Sequence, residues 1–268
     1  MPANQNTVSA VRAYRLLRVV IHLLYAALVA ACIYPFVGPA TRGRRLQRWS
    51  AGLLQILAVR LCVSGVPPAG GAVLVVGNHV SWLDIFAINA IHPARFVAKA
   101  EVRRWPLIGW LCARGGTLFI DRARRHHTRD INAVMAKAMQ GGEAFAVFPE
   151  GTTTHGDVVL PFHPSLLQPA LDCSALIYPV ALRYSRVDGS LCSEADYEGE
   201  KSLVQSLAQL VTQQRVDLDL HFCRLSPALA CIDALSLTRL PLLLPLGWAW
   251  PPRVSVLKQC AIRQPERG

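Results

Sequence analysis

The sequence predicts an α/β fold: a mixed, largely buried sheet flanked by helices, with an N-terminal membrane-associated helix pair in front of it. Three observations lead there. From residue 72 onward, short apolar runs rich in β-branched residues alternate with segments of helical length. Hydrophobic residues are 52% of the 268 and charged ones only 17%, which is enough to bury a core and argues against an ordinary, fully soluble enzyme. Residues 1–83 contain no acid, and eight arginines there flank an apolar run.

The apolar run, residues 19–37, is 19 residues long, uncharged, and holds one histidine. Crossing a bilayer takes about 20 apolar residues, so its length is just adequate. Pro35 falls near its end, where a break costs least. A signal peptide shares the basic start, but this run is longer than a usual signal core. No small-x-small cleavage site precedes the second arginine cluster, so a retained anchor is expected. Arginines on both flanks give no orientation. They suit a helix that dips in and returns, with residues 46–62 as a second, amphipathic helix on the membrane surface. The competing reading is a helix buried in a soluble core.

Residues 66–71 (Val-Pro-Pro-Ala-Gly-Gly) form a turn-rich break. Strands are predicted at 72–76, 95–98, 117–120, 144–148, 175–182 and 217–222. Helices are predicted from 81, at 105–112, 128–140, 164–171 and 201–214, the third stopped by Gly141 and Gly142. From residue 226 acids nearly vanish, and residues 240–252 carry four prolines, which excludes a regular central helix or strand. The chain thus divides into anchor helices (1–65), a catalytic-type domain (66–225) and a Leu/Pro-rich tail (226–268).

The formal net charge of +11 and the mean hydropathy of +0.30 exclude a disordered polar chain and point to an anionic surface or ligand. Eight cysteines include no Cys-x-x-Cys pair and several lie in apolar runs, so reduced buried thiols are expected, with no disulfide framework and no metal site.

Two segments carry chemistry. Asn78-His79-Val80-Ser81-Trp82-Leu83-Asp84 follows the strand at 72–76, and Phe148-Pro149-Glu150-Gly151-Thr152 follows the strand at 144–148. Both lie at carboxyl ends of buried strands, where α/β sheets place their sites. An imidazole takes a proton from a hydroxyl near neutral pH, and a carboxylate on the next helical turn fixes its tautomer. A His and an Asp with no nucleophile between them suit direct attack by a substrate hydroxyl. Ser81 raises the alternative of a serine hydrolase, but no Gly-x-Ser-x-Gly elbow surrounds it.

In their order and spacing these two segments resemble the first and third motifs of the glycerolipid acyltransferase family, the lysophosphatidic acid type. Gly116-Thr117-Leu118-Phe119-Ile120-Asp121-Arg122 is similar to the second motif and Ile177-Tyr178-Pro179-Val180-Ala181 to the fourth. Phe96-Val97-Ala98-Lys99-Ala100-Glu101 resembles the Lys-x-Glu segment ahead of the second. The resemblance covers about residues 66–185. It implies an enzyme at the cytoplasmic face of the inner membrane. The enzyme would move a fatty acyl group from acyl-CoA or acyl-carrier protein to a lysolipid hydroxyl, with no metal or other cofactor. It implies His79 as general base, Asp84 as the residue that orients it, and Lys99 and Arg122 as phosphate binders. Glu150, Gly151 and Thr152 are implied to shape the acceptor site. Lys99 and Arg122 also read as an ordinary solvated basic face, as do Arg124 and Arg125, which alternatively steer an acidic carrier or grip anionic lipid.

Two departures matter. The family often places Arg after Glu-Gly-Thr, a natural phosphate ligand, whereas here Thr153 follows. That favours a non-phosphorus acceptor such as a lyso-ornithine lipid, as in one branch of the family. The family's charged C-terminal helix is replaced by the Leu/Pro-rich tail, either as divergence or through a shifted reading frame. A non-enzymatic basic protein binding membrane or nucleic acid remains the third reading. It leaves the strand-end His, Asp and Glu without a purpose, and the aromatics form no stacking platform.

Overall fold

Strand β2 (Val73–Gly77) is buried along its whole length, and its side chains divide between two cores. Val75 faces one core, while Leu74 and Val76 face the other. Strand β5 (Phe145–Val147) does the same, with Ala146 on the first side and Phe145 and Val147 on the second. This period of two, apolar on both faces, is what a sheet covered by helices on each side demands. The computed structural model describes residues 7–121, 125–199 and 201–223, with the backbone alone for 125–127.

Among the described residues seven strands form one sheet in the order β1-β7-β6-β2-β5-β3-β4. The remaining strands are β1 (Val59–Gly65), β3 (Arg95–Lys99), β4 (Leu118–Ile120), β6 (Leu176–Ser185) and β7 (Val216–Phe222). All neighbours are parallel except β6 and β7, so the sheet is mixed, as the sequence predicts. On the first face pack α2 (Pro39–Ile56), α3 (Leu83–Ile91) and α7 (Leu203–Leu210), through Leu53, Leu54, Leu83, Ala87, Ile88 and Leu210. On the second pack α5 (Arg125–Gln140), through Ile131, Met135 and Met139 at helical spacing, and α6 (Gln168–Asp172), through Ala170. The short helix α4 (Ile108–Arg114) precedes β4.

The N-terminal segment differs from its sequence reading in two ways. Helix α1 (Ser9–Cys32) begins well before residue 19, so Arg12, Arg15 and Arg18 lie within the helix and not ahead of it. The Arg15 guanidinium donates to the carbonyls of Gln213 (2.5 Å) and Gln214 (3.1 Å), which ties the early part of the helix to the turn between α7 and β7. The second helix ends at Ile56 and does not run to residue 62. Ala58 takes a left-handed conformation (φ 55°), and residues 59–65 become edge strand β1 in register with β7. The sheet therefore begins inside the segment assigned to the anchor. Helices α1 and α2 are clamped by a reciprocal pair: Trp49 Nε1 donates to the His22 carbonyl (3.0 Å), and His22 Nε2 meets the Trp49 carbonyl (2.9 Å).

Opposite that clamp, Leu17, Val20, Ile21, Leu24, Tyr25 and Leu28 are exposed along α1. The stretch Ser9–Phe36 is long and apolar enough to cross a membrane by length and composition, with a mean hydropathy of 2.3 in its most apolar window. The six cysteines among the described residues are all free thiols. The Leu/Pro-rich tail and Arg122 lie outside the described residues.

Candidate active site

β2 ends at Gly77, and the next residue redirects the chain. Asn78 is buried and uses its side-chain amide to continue the ladder: Nδ2 donates to the Leu182 carbonyl (3.0 Å), and Oδ1 accepts from the Leu182 N–H (2.8 Å). The backbone is thereby free to leave β6 at His79. Its imidazole Nδ1 sits 2.8 Å from Asp84 Oδ2, at the start of α3. The same carboxylate oxygen accepts the backbone N–H groups of Val80 (2.8 Å) and Ser81 (3.0 Å), so the turn ahead of α3 folds back onto Asp84 in the helix's first turn. Asp84 is fully buried, while the His79 side chain is 20% exposed. With Nδ1 committed to Asp84, Nε2 is the ring nitrogen left for another partner.

The ring is held flat by a second motif. Phe148 stacks on it with centroids 4.0 Å apart and planes 3° from parallel, and Phe96 packs behind Phe148 at 6.0 Å. Two residues on, Glu150 turns back beneath the turn. Its Oε1 accepts the His79 backbone N–H (2.7 Å) and its Oε2 the Leu160 N–H (2.8 Å). The His79 carbonyl in turn accepts the Thr154 N–H (2.9 Å). Both backbone groups of His79 are thus tied to the 150–154 loop. Gly151 follows Glu150 with φ +78°, a conformation in which an L side chain is strained. Glu150 is buried, and burial pushes its carboxyl above the usual range, partly opposed by the two backbone N–H donors.

The structure brings His79, Asp84, Glu150 and Gly151 together from two loops 71 residues apart in sequence. Glu150 is buried, and both of its oxygens are used by the backbone N–H groups of His79 and Leu160. Thr152 is exposed, and Lys99 is exposed at the carboxyl end of β3. Ser81 is fully buried, and its backbone N–H is taken by Asp84, so its hydroxyl is closed to a substrate. Thr153, at the position where an arginine would bind phosphate, donates its hydroxyl to the Tyr197 carbonyl. Among the described residues no three His, Cys, Asp or Glu side chains gather as a metal site.

Sequence reasoning missed two members of this centre. Phe148 belongs to the Phe-Pro-Glu-Gly-Thr segment, but nothing in that pattern implies its stacking on His79. Tyr184, on β6, donates its hydroxyl to Asp84 Oδ1 at 2.6 Å from 100 residues away. No local pattern encodes that contact. The alternation of β6, which puts Val180, Leu182 and Tyr184 on the α3 side, was the one available signal.

Residues 60–183 match the Acyltransferase family. The chain is 34% identical over 200 residues to the 1-acyl-sn-glycerol-3-phosphate acyltransferase of Neisseria meningitidis, covering 74% of this chain and 78% of that protein. The chain belongs to the acyltransferase family. It is also 40% identical over 174 residues to the lyso-ornithine lipid O-acyltransferase of Pseudomonas aeruginosa, covering 65% of this chain and 66% of that protein. The crystal structure of the 1-acyl-sn-glycerophosphate acyltransferase PlsC from Thermotoga maritima superposes with a TM-score of 0.64 over 95% of this chain and 97% of that one. At 16% identity this is a likeness of fold. The sequence resemblance and the predicted class of enzyme, an acyltransferase, are thus borne out, and so is the mixed α/β sheet flanked by helices.

A second His–Asp pair joins His155 to residues beyond the matched segment. His155 Nδ1 meets Asp196 Oδ2 at 2.6 Å, its Nε2 meets Glu198 Oε2 at 2.8 Å, and Lys201 Nζ holds Asp196 Oδ1 at 2.7 Å. The hydrogen bond to Asp196 first, and the charges of Glu198 and Asp196 after it, raise the His155 imidazole above its ordinary value.

Proposed function

We propose that this acyltransferase esterifies the hydroxyl of a lysolipid, with His79 as the general base and Asp84 as the residue that orients it. The observation that carries the reading is the His79–Asp84 contact at 2.8 Å. Nδ1 is engaged, Asp84 is fully desolvated, and the ring is locked against Phe148. In the reaction the lysolipid hydroxyl approaches Nε2. Its oxygen attacks the thioester carbonyl carbon while its proton passes to Nε2. Collapse of the tetrahedral intermediate breaks the C–S bond, and the departing thiolate takes the proton back. No acyl-enzyme forms, and the imidazolium is stabilised transiently by Asp84.

The acyl donor is acyl-carrier protein or acyl-CoA, and Lys99 and Arg122 supply positive charge for a phosphate group. The exposed apolar face of α1 rests in the membrane, with the site open to its cytoplasmic side. The favoured acceptor is a lyso-ornithine lipid, supported by Thr153 in place of a guanidinium and by the 40% identity to the Pseudomonas relative. A lysophosphatidic acid acceptor is the second reading, favoured by the Neisseria relative.

The test is to supply the membrane-reconstituted protein with labelled acyl-carrier protein or acyl-CoA and a panel of lysolipids, and to read products by mass spectrometry. Acylated ornithine lipid formed faster than phosphatidic acid is expected. Equal or faster turnover of lysophosphatidic acid contradicts the acceptor assignment. Thr153→Arg is expected to shift the ratio toward the phosphate-bearing acceptor.

A further inference from the structure

We infer that Tyr184 is a positioning residue of this centre, its hydroxyl holding the second oxygen of Asp84 so that the carboxylate presents a fixed face to His79. The inference rests on the reading of His79 as the base, and extends it to a residue on a different strand.

The Asp84 carboxylate has no contact with water, and a desolvated charge persists only where hydrogen bonds replace its hydration. Oδ2 is filled by the His79 imidazole and the N–H groups of Val80 and Ser81. All three come from the turn that carries His79, within five residues of Asp84. They hold one oxygen but leave the carboxylate free to pivot about it. Tyr184 removes that freedom. Its phenol reaches Oδ1 at 2.6 Å from the middle of the sheet, and its side chain is itself fully buried and packed into the core under α3. One oxygen is thus set by the local turn and the other by β6, which fixes the plane of the carboxylate relative to the imidazole. Burial first, and the adjacent Asp84 charge second, hold the phenol well above its ordinary range, so it remains a donor at any working pH.

A donor on Oδ1 also draws charge away from the oxygen that faces His79. Without it, Asp84 would hold the protonated imidazole more strongly. The titratable groups that face this cluster are His79 and Asp84 on the turn and α3, Glu150 from the opposite loop, and the Cys192 thiol beyond β6, with the Ser81 hydroxyl as a neutral neighbour. Burial, with the Glu194 charge beside it, pushes Cys192 up to about 12, so it stays neutral across the assay range and cannot account for a shift there.

The experiment is Tyr184→Phe, which keeps the ring and removes the hydroxyl. It is assayed as the membrane-reconstituted protein for kcat, acceptor KM and the pH profile of kcat/KM. The expected result is a kcat lower by about ten- to hundredfold with little change in acceptor KM, and an acid limb moved to higher pH by about one unit. A lowered melting temperature with wild-type kcat and an unmoved limb would mean that Tyr184 only packs, and would overturn the inference.

A second substitution avoids dependence on the folding of that variant. Difluorotyrosine placed at residue 184 makes the phenol a stronger donor in an unchanged fold and is expected to move the acid limb to lower pH. An unmoved limb counts against the inference equally. His79→Ala separates this from the parent reading. Retained activity in that variant removes the general base itself. An inactive His79→Ala alongside an unshifted Tyr184→Phe removes only the role given to Tyr184.

Discussion

Among the described residues two His–Asp pairs of nearly the same length each have a buried carboxylate, but their histidines are engaged differently. His79 and Asp84 are five residues apart on one turn, and Asp84 is completely buried and shared with two backbone N–H groups and a tyrosine hydroxyl. His155 and Asp196 are 41 residues apart on two surface loops. The His155 side chain is 63% exposed and bridges to a second carboxylate, Glu198. In the first pair only one ring nitrogen is engaged, so the imidazole can accept a proton from outside. In the second both nitrogens face carboxylates, which favours the protonated ring and joins the loops. The residue types alone do not separate a base from a latch. What separates them is how many donors the carboxylate already has and what faces the other nitrogen.

Substitutions sharpen that contrast in order of effect. Asp84→Asn is expected to lower kcat/KM by about 10²- to 10⁴-fold while acceptor KM changes little, because it removes the group that sets the tautomer and stabilises the imidazolium. Steady-state kinetics on reconstituted protein checks it. A loss below tenfold would make the buried pair no more important than the exposed one.

Glu150→Gln comes next. A carboxamide can accept only one of the two N–H groups that Glu150 now satisfies, leaving either His79 N–H or Leu160 N–H facing another donor. The expected cost is about 1–3 kcal/mol of stability, with a kcat loss smaller than that of Asp84→Asn, read by denaturant unfolding and by kinetics.

The smallest effect belongs to His155→Gln, below about 1 kcal/mol because the His155 ring is exposed and screened, and Lys201 still holds Asp196. Its pH dependence is diagnostic. The folded-state value of His155 is raised, so its contribution is fully present below the unfolded value of about 6.5 and is lost as pH rises through the folded value. The stability gap between wild type and His155→Gln should therefore be widest near pH 6 and close toward alkaline pH. A gap that widens with pH would contradict the latch.

The same distinction governs what the sequence makes legible. The two loops at the ends of β2 and β5 announce themselves because each follows a short apolar strand, and because Asp84 lies one helical turn beyond His79. The strands with both faces buried are legible for the same reason. β1 is not. Residues 53–57 continue the apolar pattern of α2 with no glycine or proline after them. The helix ends because Ala58 adopts a left-handed conformation and the chain pairs with β7, more than 150 residues away. Tyr184 and Phe148 escape notice because their roles depend on which strands become neighbours. His155 escapes because its partners lie on another loop. Lys99 and Thr152, singled out by their place in motifs, are exposed, and Arg122 lies outside the described residues.

The central claim, direct transfer driven by the buried pair, is tested most directly by rapid quench of the reconstituted protein with labelled acyl donor. Wild type and His79→Ala are compared with and without lysolipid, and intact protein mass is read in parallel. The account predicts labelled lipid only when lysolipid is present, no acyl adduct on the protein, and a rate in His79→Ala lower by about 10²- to 10⁴-fold. An acyl-protein adduct that forms without lysolipid and discharges when it is added would contradict the account. So would a His79→Ala rate within tenfold of wild type.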